Sequence, residues 1–279
     1  MLENRSPVFL ITGCSTGLGR EMALAALGKG FRVIATARRV ETLSALRDLG
    51  AKIMTLDVTS STTVLKEFAA TAIAIYGQVD YLVNNAGFVQ GGAVEEVSVE
   101  EALAQFNTNF FGLVNTTKAF LPYFRKRRTG TLVNISSQGS CLGTPGGGFY
   151  CASKAAVDTI SDAWAHELAE FGVRSISVQP GAFRTEVLQS INARFAEKSI
   201  EGYTVAHGVI ASLSKLAGKE PGDTAKAARN IIEVVTRPDL PLRFVIGNDA
   251  VANVRAFYQA RLIEIEATKE WGTDTDYPA

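Results

Sequence analysis

The chain has little cysteine, no net charge and no long apolar run, and each scarcity removes a class of function. Its three cysteines, Cys14, Cys141 and Cys151, show no metal-ligand spacing. An odd number without a secretory leader argues for a reducing compartment, so a cytoplasmic protein without a metal site is expected. Twenty-eight basic residues balance 28 acidic ones, which leaves no strong field to hold nucleic acid or an anionic membrane. The run Arg125-Lys126-Arg127-Arg128 is a local exception that suits a helix C-terminus, where cations meet the negative end of the dipole. No stretch reaches the ~18 apolar residues of a membrane span. Met1–Pro7 lacks the apolar core of a signal segment. His207 has no partner at metal or triad spacing, and neither internal repeats nor low-complexity linkers break the chain.

Apolar residues are plentiful, 47% of 279, enough for a sizeable core. They fall into short runs separated by longer helical patterns. Val8–Thr12, Arg32–Thr36, Lys52–Leu56, Val79–Asn84, Thr131–Ile135, Arg174–Gln179 and Leu242–Ile246 read as strands. Leu18–Gly28, Val40–Leu49, Thr62–Tyr76, Val99–Arg127, Phe149–Phe171, Asp223–Thr236 and Val251–Ala267 read as helices. Ser98 and Glu101 form a capping-box pattern, and Asp223 is a further N-cap. This alternation predicts an α/β fold: a Rossmann-like, doubly wound parallel sheet of about seven strands with helices on both faces. The stretch at about 181–222 has no clear period and is read as a substrate lid on a single domain spanning 1–279.

Gly13, Gly17 and Gly19 follow the first strand and open a helix. Glycine lets backbone approach phosphate closely, and a helix N-terminus offers free N–H groups. The spacing departs from the G-x-G-x-x-G fingerprint, so by itself the run Gly13-Cys14-Ser15-Thr16-Gly17-Leu18-Gly19 is either a phosphate cradle or a tight strand-to-helix turn. The second strand should end beside an adenosine ribose, where an acid binds the 2′-hydroxyl and an arginine accommodates a 2′-phosphate. Here Arg38 and Arg39 follow Ala37 and no acid is present, which predicts NADP(H). Asp57, before Val58, is either an adenine contact or a helix cap. Asn84-Asn85-Ala86-Gly87 places small residues and amides at a strand's carboxyl end, where open sheets bind ligands.

Tyr150 and Lys154 lie four apart on one helix face, thirteen residues after Ser137. A nearby cation lowers a phenol's pKa, and two hydroxyls aimed at one oxygen stabilise the alkoxide a carbonyl becomes on reduction. Asn109 falls inside the long helical stretch, where it is positioned to bend the helix, bind water and pass protons toward Lys154. Cys141 and Cys151 border these residues as packing groups rather than nucleophiles.

With these motifs in this order, the chain resembles the short-chain dehydrogenase/reductase family over about 8–188. The resemblance implies Tyr150 as general acid/base, Ser137 as the carbonyl-orienting donor, Lys154 on the nicotinamide ribose and Asn109 as anchor of a water relay. It adds Pro180, Gly181, Phe183 and Thr185 beside the nicotinamide, with Tyr150 and Lys154, to the cofactor contacts. It also implies a homodimer or homotetramer through helices matching 99–127 and 150–171. Thr16 is not basic, so a preference for the extra phosphate rests on Arg38.

Phe88, Val89, Leu142, Gly146–Gly148, Phe183, Leu188, Ile191, Phe195 and Tyr203 are candidates to line the substrate pocket or to pack the lid. Few fixed charges surround the motifs, so the expected substrate is a hydrophobic ketone or secondary alcohol. A catalytically silent NADP(H)-sensing protein and a lyase or epimerase on the same fold are the alternatives.

Overall fold

Alternation of short apolar runs with amphipathic ones becomes, in the computed structural model, alternation of strand and helix across the described residues, 6–185 and 193–277. Strands β1 (Val8–Ile11), β2 (Arg32–Ala37), β3 (Lys52–Thr55), β4 (Tyr81–Asn84), β6 (Gly130–Ile135), β7 (Val173–Pro180) and β9 (Arg243–Ile246) form one sheet. Its order is β3-β2-β1-β4-β6-β7-β9, and every pairing is parallel. A separate two-stranded parallel sheet joins β5 (Val89–Gly91) to β8 (Ala193–Phe195).

Successive side chains of a strand point to opposite faces, and both faces are apolar here. Phe9 and Ile11 of β1 join one core, and Val8 and Leu10 join the other. The first core is covered by α1 (Gly17–Gly28) and α8 (Thr224–Val235), which supply Met22, Ala23, Ala228 and Ile231. The second is covered by α3 (Thr62–Tyr76), α5 (Leu113–Arg127) and α6 (Gly148–Glu167), which supply Phe68, Phe120, Phe124 and Trp164. Each of the large side chains fully buried there, Met22, Ile231, Phe120 and Phe124, contributes roughly 1.5–3 kcal/mol relative to exposure. β1 has β2 on one side and β4 on the other, so strand order reverses there and opens a crevice at the carboxyl ends.

The caps fall where the residues place them. Ser98 and Glu101 exchange hydrogen bonds at the start of α4 (Val99–Phe106), and Asp223 accepts from the Lys226 amide at 2.9 Å. The basic run ends α5, but Arg127 is more than a solvated cation: it pairs with Asp80 at 2.6 Å and binds the Val79 carbonyl oxygen. Three readings need correction. The expected helix over 99–127 is broken by a π turn, Asn107–Gly112. The expected helix over 40–49 is a tight 3-10 turn, Val40–Leu43, followed by α2 (Ser44–Asp48). The stretch 181–222 contains β8 and a helix, α7 (Thr204–Leu216). Val205, Val209, Ile210, Leu213 and Leu216 recur at helical spacing along α7, a period the reading of 181–222 as aperiodic passes over, although the helix fully buries only Ala206. Leu188, Ile191 and the residues Met1–Arg5 of the N-terminal reading lie outside the described residues.

Candidate active site

Four carboxyl ends, those of β1, β4, β6 and β7, bring the motif residues together. The glycine turn is tied to the end of β4 by Thr12, whose hydroxyl accepts from the amides of Asn85 and Ala86 at 2.9 and 3.0 Å. The Asn85 side chain donates to the carbonyl oxygens of Thr12 and Gly13 at 2.9 and 3.1 Å. Gly13 has φ +71, and a Cβ there would come within 2.9 Å of the Ala86 Cα. A Cβ at Gly19 would strike the Gly13 carbonyl oxygen and the Asn85 amide. These two glycines therefore serve the tight turn as much as any ligand. Gly17 (φ +57) begins α1, and Thr16 before it offers no side-chain cap, so the first amides of the helix keep their donors for an anion. Ser15 is half-buried on this turn, and Leu18 packs into the first core. A cavity of about 460 Å³ opens at this helix head, bordered by Gly17, Arg20, Arg184 and the 221–225 segment. It adjoins the glycine turn rather than the phenol of Tyr150.

The π turn of α4–α5 presents Asn109, buried, against the loop after β4. Its amide oxygen accepts from the Phe88 amide at 3.0 Å, and its nitrogen donates to the Phe88 carbonyl oxygen and the Ser153 hydroxyl at 3.0 and 3.2 Å. Gly87 lies between two of the key groups: a Cβ there would sit 3.0 Å from the Asn109 oxygen and 3.7 Å from the Lys154 ammonium. Gly139 plays the same part for another pair, with Ser137 Oγ at 3.4 Å and the Tyr150 ring at 3.6 Å from its would-be Cβ. Ser137, Tyr150, Lys154 and Asn109 thus converge on two glycines whose missing side chains leave room.

The Tyr150 phenol is pushed up from its ordinary value by burial, opposed by hydrogen bonding with Ser137 and reinforced by Cys151. From the sequence, Lys154 is expected to lower it. Instead the Lys154 ammonium donates to the Ile135 carbonyl oxygen at 2.7 Å. Burial brings Lys154 down to about 8, against the attraction of Asp158 one turn on. Asp158 is itself held by Ser177 and Gln179. Cys14 donates to the Ile11 carbonyl oxygen at 3.2 Å, and burial pushes its thiol up to about 12, which suits packing rather than chemistry.

The short chain dehydrogenase model matches residues 7–195. The chain belongs to the short-chain dehydrogenase family. A 3-ketodihydrosphingosine reductase from Bacteroides thetaiotaomicron is 38% identical over 86% of this chain and 87% of its own. A short-chain dehydrogenase structure from Streptomyces avermitilis is 38% identical, covers 99% of this chain and all of its own, and superposes with a TM-score of 0.89. Actinorhodin polyketide ketoreductase, solved with NADPH, is 29% identical over 88% of this chain and 97% of its own, with a TM-score of 0.72. Structural neighbours carry NAD in one case and NADP or NADPH in others.

At the carboxyl end of β2 in this dehydrogenase, Arg38 and Arg39 are exposed. Asp57 is exposed and accepts from the Thr59 amide and hydroxyl at 2.9 and 2.7 Å. It does not cap α3; Ser61 does, so of its two readings the cap is corrected. Val58 is buried against Gly112 of the π turn.

At the other end of the dehydrogenase crevice, Pro180 closes β7 and Gly181 packs against the Asp249 carboxylate so tightly that no side chain fits. Asp249, in the first turn of α9 (Asn248–Gly272), accepts from the Ala182 amide at 2.8 Å and from the Gln138 side chain at 3.0 Å. Nothing in sequence spacing joins Asp249 to Ser137, more than a hundred residues away, so this brace was not legible. The Phe183 ring packs against Gly222 and Gly247 and joins the first core; Thr185 is half-buried at the end of the described segment.

Among the pocket candidates, Gly146 packs on Ala206 and Ile210 of α7, and Phe195 lies over Gly91. Phe88 is buried beneath the Arg194 guanidinium, 4.2 Å from the ring centroid. Tyr203 is hydrogen-bonded to Glu95 rather than aimed at the motifs. His207 does have a partner: the buried Glu96 carboxylate, at 2.7 Å. Glu96 also accepts from the Ala93 and Ile200 amides, and these bonds hold its carboxyl down at about 2. The Ile200 amide and the His207 imidazole fasten α7 and the segment before it to Glu96, which is too far away in sequence to pair by spacing.

Proposed function

We propose that this dehydrogenase transfers a hydride between NADP(H) and a carbonyl or secondary alcohol, and that its substrate is a hydrophobic ketone. The observation that carries the reading is the convergence of Ser137, Tyr150, Lys154 and Asn109 on Gly87 and Gly139 at the carboxyl end of the sheet. The nicotinamide, when bound, supplies or takes up the hydride. Tyr150 gives the proton to the carbonyl oxygen, and Ser137 donates a second hydrogen bond to the same oxygen. Lys154 holds the ribose, and the phenol, kept protonated by burial, is the proton donor for reduction. Asn109 holds the π turn open beside Lys154, where a water chain delivers the replacing proton.

The remaining contacts are proposed along the crevice. The turn from Gly13 through Ser15, Thr16, Gly17 and Leu18 to Gly19 cradles the phosphates. Asn85, Ala86 and Gly87 line the ribose; Asp57 and Val58 meet the adenine; Pro180, Gly181, Phe183 and Thr185 flank the nicotinamide. Arg38 takes the 2′-phosphate, since no acid stands at the end of β2. The apolar character of Phe88, Val89 and Leu142, and the ketone-reductase names of two relatives, support the substrate class. The segment 181–222 acts as a lid on a single domain. The exposed Val99, Leu103 and Phe111 support homodimer or homotetramer assembly through α4–α5 and α6. Among the described residues no helix is long and apolar enough to cross a membrane, and a cytoplasmic location is part of the proposal.

The test is turnover of a ketone and alcohol panel, followed by nicotinamide absorbance, with NADPH and NADH and with Arg38→Ala. Net oxidation of NADPH over NADH, with the preference lost in Arg38→Ala by about 10–100-fold, is expected for a charge-assisted phosphate contact. Equal use of both nucleotides by the unaltered protein overturns the preference. Tight binding without turnover marks a sensor, and product without net redox change marks an epimerase.

A further inference from the structure

Asp158 is a buried acid that the chemistry above does not use. It lies four residues after Lys154 on α6, and the two are only 3% and 6% exposed. Residues at that spacing share a helix face. The sheet beneath fixes where each side chain ends. The Lys154 ammonium reaches the Ile135 carbonyl oxygen on β6. The Asp158 carboxylate accepts from Ser177 and Gln179 of β7, the residues on either side of Val178. Val178 is the register partner of Ile135, and adjacent strands lie about 4.8 Å apart. A cation and an anion thus sit over neighbouring strands, away from water.

Arg243 of β9 approaches the same carboxylate at 3.7 Å but is committed elsewhere. Its Nε and Nη2 donate to Asp162 at 3.2 and 2.6 Å, and its Nη1 donates to the Tyr258 hydroxyl at 3.2 Å. Asp162, the more exposed of the two acids, therefore takes the forked contact, and Asp158 keeps charge for Lys154. Among the described residues, the other titratable groups against this cluster are Tyr150, one turn before Lys154, with Tyr258 of α9 and Cys141 in the turn after β6. Solvent screens a buried pair of this kind little.

We propose that Asp158 is the counter-charge that holds Lys154 in its ammonium form at neutral pH, with Arg243 setting how much of that charge Lys154 feels. Asp158 is a positioning residue that acts through Lys154, and its use to the enzyme rests on the ribose-holding role proposed above for that lysine. A buried ammonium left without a partner gives up its proton rather than stay charged. An opposite charge ~4–6 Å away moves such a titration by about 1–3 in pH.

The test is the titration of Lys154 in the full, nucleotide-free chain, followed by NMR of lysine labelled at the ε-carbon. The signal is the one that Lys154→Met removes. The unaltered midpoint is expected at about 8. Asp158→Asn, which keeps the shape and removes the charge, should bring it to about 7 or lower. At about pH 8 the charged fraction then falls roughly fivefold, from about a half to about a tenth. Arg243→Met should move the midpoint up, because Asp158 then faces Lys154 alone. Structural damage would shift both variants alike, so the opposite signs mark a charge coupling. An unchanged midpoint in Asp158→Asn, or movement of both midpoints in one direction, overturns the proposal. Should Asp158→Asn fail to fold, Arg243→Met decides: a midpoint that stays or falls overturns the proposal. No nucleotide is present, so these outcomes bear on Asp158 alone; an error in the reading of the site appears instead as turnover retained by Lys154→Met.

Discussion

Asp249 accepts a hydrogen bond from the Gln138 side chain at 3.0 Å, tying the first turn of α9 to the residue beside Ser137. The same carboxylate oxygen takes the Ala182 amide at 2.8 Å, so one acid braces the serine loop and the segment after β7 together. Asp249→Ala removes two charge-assisted bonds, each worth about 1.5–3 kcal/mol at most. The unfolding midpoint should fall by several degrees, at about 2–4 °C per kcal/mol for a domain of this size. Turnover should fall more than nucleotide affinity, and Asp249→Asn, which keeps one acceptor, should recover part of both. An unchanged midpoint and rate in Asp249→Ala would show that the brace carries no load.

Lys154 gives a prediction with a definite sign in pH. Its folded-state value, about 8, lies below the ordinary lysine value of 10.5. Between those values the unfolded chain binds more protons than the folded one, so this group adds stability as pH rises through that window. Below about 8 the folded protein carries the full cost of a buried ammonium. Lys154→Met lacks this dependence. The stability of the wild type relative to that variant should therefore rise by up to about 3 kcal/mol from about pH 7 to about pH 10.5, in urea unfolding. A difference independent of pH would contradict the burial of the ammonium.

Glu96 has the same sign at lower pH. Its folded-state value, about 2, lies below the ordinary 4.5, because the Ile200 and Ala93 amides and His207 favour the carboxylate. Its contribution is complete above the unfolded value and is lost as pH falls from about 4.5 toward 2. Glu96→Ala should expose the Ile200 amide and α7 to hydrogen exchange at neutral pH, while the β-sheet stays protected. Substrate KM should rise, because α7 packs on Gly146 just before the helix of Tyr150. Unaltered exchange at Ile200 would mean that other contacts hold this segment.

Much of the fold was legible because apolar periodicity and capping residues act locally. The helix Thr62–Tyr76 has the bounds its pattern gives, and Ser98 and Asp223 cap as their residue types require. What escaped depends on contacts between distant residues. Asn109 marks the bend that the sequence places in this helix, but its form as a π turn is set by the backbone of Phe88, a contact that the helical pattern on either side does not show. β5 and β8 are three residues each, too short for an alternation to register. In the site, Ser137, Tyr150 and Lys154 were legible as a spaced set. The direction of the Tyr150 shift was not, because it depends on burial and on the Lys154 ammonium turning to the Ile135 carbonyl oxygen.

The central claim is that the Tyr150 hydroxyl gives and takes the proton. The most direct measurement is single-turnover hydride transfer by Tyr150→Phe alongside nucleotide titration of the same sample. Loss of general acid catalysis should slow transfer by about 10²–10⁴-fold or more while NADPH affinity stays within a few-fold of the unaltered protein. Transfer at an undiminished rate in the phenylalanine variant would contradict the account.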